Sequence, residues 1–120
     1  MGFRILTLNQ ISRKGLERLP GDRYQIAAGI AHPDAILVRS ADMHSMKIPE
    51  SVRAVGRAGA GTNNIPVAGL SRRGIPVFNA PGANANAVKE LVIAGLIIGC
   101  RHLCHGWEFG RALEGTDADL

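Results

Sequence analysis

Three short stretches of this chain carry residue types suited to holding a small anion. Arg39-Ser40 follows the apolar run Ala35-Ile-Leu-Val38, so a guanidinium fork and a hydroxyl stand at the end of a strand-like segment. Ala54 to Ile65 passes from an apolar run into Gly59-Ala60-Gly61. Without Cβ atoms, Gly59 and Gly61 can take positive φ and let a ligand approach the main chain closely. A third stretch, Pro76 to Asn86, breaks into Ala80-Pro-Gly-Ala-Asn84 before a helical pattern begins. A strand that runs into such a turn and then a helix leaves N–H groups without intrahelical partners, pointing where an anion could sit. One Gly-x-Gly alone more often makes only a tight turn. Its recurrence beside Arg39-Ser40 is what points to a binding site.

Other chemistries fit less well. Cys100, His102, Cys104 and His105 suggest a metal site, but on one helix His102 lies roughly opposite Cys100 and His105 is well round the side, so they do not converge. Two cysteines read as free thiols. The formal charge of +4 comes from scattered cations with no run longer than two and no interleaved aromatics, which argues against nucleic acid. The longest apolar stretch, Leu91 to Cys100, is about half a membrane span, and Phe3 to Leu8 is a strand rather than a secretory leader. A cytoplasmic location without membrane or nucleic-acid partners is therefore expected.

The elements that must place these residues alternate. Phe3–Leu8 reads as a first strand, then Ser12 caps a short helix from Arg13 to Leu19, closed by Pro20-Gly21. Tyr24 to Ala28 and Ala35 to Val38 read as strands, the latter with the continuous apolar character of a buried parallel strand. A weak helical turn at Pro49-Glu50, a strand from Val52 to Ala58, a helix from Pro66 to Arg73 with Gly74 at its end, and a strand from Ile75 to Asn79 follow. This order predicts an α/β fold with a flavodoxin-like parallel sheet in the order 2-1-3-4-5, flanked by helices. Ligands in such sheets bind outside the carboxyl ends of the strands, which brings Arg39-Ser40, the glycine loop and the Asn79–Asn84 stretch to one rim. From about Asn86 to Leu113 a single long helix is expected, roughly 42 Å at 1.5 Å per residue. Its stripe Leu96, Cys100, Leu103, Trp107 should overhang the domain and pair with a further domain or another copy of the chain. The expected layout is a domain over residues 1–85 and a connecting helix and tail over 86–120.

Leu37-Val-Arg-Ser40, Gly56 to Ile65, Gly74 to Asn84 and Ala87-Val-Lys-Glu-Leu91, taken in order, resemble the substrate-binding domain of the D-isomer-specific 2-hydroxyacid dehydrogenases. The resemblance implies that Arg39 and Ser40, the backbone amides of Ala60 and Gly61, and Asn84 hold a small anionic 2-hydroxy acid. It implies NAD as cofactor, bound by a nucleotide domain that would follow Leu120, where the family's catalytic arginine, glutamate and histidine also lie. Gly56-x-x-Gly59-x-Gly61 has the dinucleotide fingerprint's spacing reversed and lacks the acid about 20 residues on, and none of the four histidines matches the catalytic one. The chain thus reads as a substrate-binding portion, truncated relative to such enzymes and inactive alone. The alternatives are a stand-alone anion-binding or ligand-sensing module, and an interaction protein that uses its exposed helix.

Overall fold

The computed structural model describes residues 2–115; the tail expected over 116–120 lies outside them. The chain divides into two compact units, Met1–Ala83 and Asn84–Leu120. The first carries five parallel strands, β1 (Phe3–Leu8), β2 (Tyr24–Ala27), β3 (Ala35–Val38), β4 (Ala54–Arg57) and β5 (Val77–Phe78), in the order β2-β1-β3-β4-β5. This is the sheet expected from the alternation of elements. Register aligns Leu6 with Ile36, Ile36 with Val55, and Val55 with Val77, so one face gathers a continuous row of branched residues. The core lies on that face, where Leu6, Ile36, Val38 and Val55 pack with Leu70 and Ile75.

Two helices accompany the sheet, α1 (Arg13–Leu16) and α2 (Val67–Arg72). Leu70 of α2 belongs to the core, whereas Leu16 of α1 shares a cleft with Leu37, Gly56 and Phe78 of the opposite face. Helices therefore lie on both sides. The first is a single turn rather than the run to Leu19 expected, and Ser12 occupies its N-cap without a side-chain bond. With Gly15 inside and no cap, little holds a longer helix. The long link from β3 to β4 holds no helix either: Pro49-Glu50 belongs to a turn, and Met43 instead sends its side chain fully into the core.

The end of α2 shows why β5 is so short. Gly74 takes φ +70, its N–H bonds to Ser71 O at 2.9 Å, and the Ile75 N–H reaches back to Leu70 O at 3.0 Å. This is a Schellman termination, with Ile75 and Leu70 meeting in the core. Ile75 is thereby spent on ending the helix, and Pro76 has no N–H for the ladder. A Cβ at Gly74 would meet no atom within 4 Å, so the left-handed backbone is the whole cost of adding one. We expect Gly74→Ala to lower stability by about 1 kcal/mol, read as a lower urea midpoint with an unchanged slope. An unchanged midpoint would show that another residue sets this turn.

The second unit consists of α3 (Ala85–Cys100) and α4 (Leu103–Ala112). The single helix expected from Asn86 to Leu113 is thus corrected: it breaks at Arg101-His102, where His102 takes φ +50 and the His102 N–H bonds to Gly99 O. A left-handed residue ends a helix, and histidine tolerates that conformation better than most. Gly95, Gly99, Gly106 and Gly110 also thin the helical preference of a run that looks continuous by its apolar spacing. At 1.5 Å per residue the two pieces are about 24 and 15 Å long, so the straight 42 Å rod is absent. No described helix is long and apolar enough to cross a membrane.

Candidate functional site

The carboxyl ends of β1, β3, β4 and β5 are laced together by asparagine side chains. Asn9, just beyond β1, adopts φ +68 and turns its Oδ1 to accept the Ser40 N–H at 3.1 Å and the Ala41 N–H at 2.6 Å. Asparagine is among the few residues that tolerate this backbone, and its short amide reaches the neighbouring turn. Asn64, in the loop after β4, donates through Nδ2 to Ala41 O at 2.8 Å and lies 3.4 Å from Arg39 O. Its own backbone carbonyl accepts the Met43 N–H at 2.9 Å. Asn79, after β5, donates to Ala60 O at 2.8 Å, and the Ala80 N–H bonds to Gly59 O. Four loops thus form one tied rim.

Arg39 and Ser40 stand exposed on this rim, Arg39 lining clefts with Asn9 and Gln10. Among the described residues the single ion pair is Arg4 with Asp34, so Arg39 has no carboxylate partner there. Ala60 and Gly61 follow β4 on the same rim, and none of the bonds lacing the loops uses their amides. Asn84 opens the second unit at the N-cap position of α3. Its backbone carbonyl accepts the Val88 N–H at 3.0 Å, but its side chain makes no capping bond.

The two glycines differ from what their spacing suggests. Gly59 has φ +155, and a Cβ there would fall on the Nη1 atom of Arg57. Gly61 is outside the positive-φ region, and its Cβ would only touch Asn63 Oδ1 at 3.4 Å. The backbone therefore requires glycine at 59 rather than at 61. Arg57, at the end of β4, has no spacing that sets it apart from the other scattered cations, yet its Nε is buried without a partner among the described residues. Asn9 and Asn64 were missed as well. The signals were an asparagine directly after a strand and a pair, Asn63-Asn64, inside a glycine loop.

The glycine loop does not fit a dinucleotide. A pyrophosphate site needs the glycines to open directly into a helix, whereas α2 begins at Val67, beyond the lone turn Thr62–Ile65, and is only 6 residues long. What the rim can do is orient an anion and neutralise its charge.

The fold is an open-sheet α/β domain, a class whose ligands bind at the strands' carboxyl ends. A model of the D-isomer specific 2-hydroxyacid dehydrogenase catalytic domain matches residues 9–110. The chain belongs to this family of oxidoreductases. It is 34% identical over 85 residues to D-3-phosphoglycerate dehydrogenase of Mycobacterium leprae, an alignment covering 68% of this chain and 16% of that protein. It is 36% identical over 100 residues to hydroxypyruvate reductase of Thermotoga maritima, covering 73% and 32% respectively. With erythronate-4-phosphate dehydrogenase of Cellvibrio japonicus it shares 37% over 98 residues, covering 80% and 25%. The chain therefore spans a third or less of the length of these relatives.

Proposed function

We propose that this chain is the part of an NAD-dependent 2-hydroxyacid dehydrogenase that holds the acid's anionic groups, with D-3-phosphoglycerate as substrate and serine biosynthesis as the setting. One observation carries the reading: Arg39 lacks an ion-pair partner among the described residues, while Asn9 and Asn64 fix its turn beside the loop of Ala60 and Gly61. The guanidinium would grip one anionic group bidentately, and the Ser40 hydroxyl and the amides of Ala60 and Gly61 would share the remaining oxygens. Three relatives act, by their names, on phosphoglycerate, hydroxypyruvate and erythronate 4-phosphate, all small oxygenated acids. The hydride acceptor and the acid–base group would come from elsewhere in a complete enzyme.

The test is binding by the 120-residue chain. Titration with 3-phosphoglycerate should shift the amide resonances of Ala60 and Gly61. Arg39→Ala should weaken binding about tenfold to a hundredfold, the size of a hydrogen bond to a charged group. The chain alone should form no NADH from the same acid. Unchanged affinity in Arg39→Ala would count against the site, and NADH formation against the division of labour. Tight binding without any turnover, in a gene with no nucleotide domain, would favour the stand-alone sensing module.

A further inference from the structure

We propose that Arg13 is a specificity residue that grips a second anionic group of the substrate, so that the site selects 2-hydroxy acids with two anionic groups over those with one. The proposal rests on the reading of Arg39 given above and extends it across the adjoining cleft. That cleft, of about 510 Å³, runs between the loop after β1, the first turn of α1 and the end of β3. Two of its lining residues are guanidinium-bearing, Arg13 and Arg39, and none is a carboxylate. Gln10 and Ser12 add amide and hydroxyl donors on the same wall.

Two like charges facing one cleft repel and gain nothing for the fold, yet nothing described neutralises them, since the single described ion pair lies at Arg4 and Asp34. Their fields add in a concave space, which concentrates anions there. The two walls are also tied: Asn9, three residues after Leu6 in β1 and four before Arg13, accepts the N–H groups of Ser40 and Ala41. The turn carrying Arg13 is thereby held to the turn carrying Arg39. An acid with one anionic group satisfies Arg39 and leaves Arg13 to water. An acid with a carboxylate at one end and a phosphoryl or second carboxylate at the other can satisfy both.

The probes are 3-phospho-D-glycerate and D-glycerate, which share a carbon skeleton and differ by the phosphoryl group. Calorimetric titration of the 120-residue chain should show Arg13→Ala weakening 3-phosphoglycerate about tenfold while leaving D-glycerate within twofold. Arg13→Lys should recover part of the loss, because it keeps the charge but not the planar fork. Lys14→Ala removes the same charge one residue along, outside the cleft lining, and should leave the selectivity ratio unchanged. An amide spectrum superimposable on that of the unsubstituted chain separates a lost contact from a lost fold. Equal loss of both acids in Arg13→Ala, no loss of either, or an equal effect of Lys14→Ala would overturn the proposal while leaving the Arg39 site standing. Failure of the unsubstituted chain to bind either acid would overturn the site and this extension together.

Discussion

Met43→Ala should destabilise the chain by about 2–5 kcal/mol, the range for truncating a buried large aliphatic side chain. Against the 5–15 kcal/mol typical of a whole domain, that is a large share. Met43 is completely buried, although it sits in a link without helix or strand. Met46 and Ile48 of the same link are partly buried against the core. An unbranched thioether fills the irregular gap such a link leaves above a sheet. The backbone beside it is committed as well: the Met43 N–H bonds to Asn64 O, and Asn64 in turn holds Ala41 O. The Arg39 turn is thus anchored to the core through a side chain four residues away. Truncation should therefore do two things at once, lowering the urea midpoint and speeding hydrogen exchange at the Ser40 and Ala41 amides that Asn9 holds. Met43→Leu keeps most of the volume and should cost under about 1.5 kcal/mol. A loss below 1 kcal/mol in Met43→Ala, with exchange unchanged, would show that the link packs without it.

The same link shows where the sequence could be read and where it could not. Strand order was legible because Ala35–Val38 and its neighbours are short apolar runs separated by turn residues, and right-handed crossovers leave few topologies for them. Met43, Met46 and Ile48 follow neither period 2 nor period 3.6, so their burial had no pattern to announce it. At the rim, Arg39-Ser40 was legible as chemistry at a strand end. Asn9 was not, because an asparagine in a turn has many uses, and only the parallel pairing of β1 with β3 brings it to Ser40. Spacing likewise could not tell which glycine the backbone requires. That depends on the φ of +155 taken at Gly59 and not at Gly61, which spacing does not set. The apolar stripe misled in the other direction. Leu96, Cys100, Leu103 and Trp107 keep helical spacing across Arg101-His102, although the backbone does not.

That break changes the surface offered by the second unit, and with it the expected behaviour of the chain in solution. We propose that α3 and α4 associate with those of another copy. On α3 the apolar side chains from Val88 to Ile98 occupy about three quarters of the circumference at 100° per residue. A helix apolar on so many sides is ordinarily buried, yet Leu96 is 61% exposed and Trp107 of α4 is 62% exposed. Ile98, Leu103 and Trp107 line an open cleft of about 490 Å³ beside the turn, and the Arg111 guanidinium sits 4.7 Å from the Trp107 ring centre. A partly exposed tryptophan in an apolar cleft is the kind of anchor that dominates interface energy. A second copy would offer the same exposed apolar side chains in return. Sedimentation of the 120-residue chain should show dimers or larger species at micromolar concentration. Leu103→Glu with Trp107→Glu should weaken the association at least tenfold, since two carboxylates would have to be desolvated in the contact. The substitutions lie on exposed positions, so the unfolding free energy of the sheet should stay within about 0.5 kcal/mol of the original. A monodisperse monomer at high concentration, with Trp107 fluorescence already that of a buried indole, would show that these faces are covered within one chain.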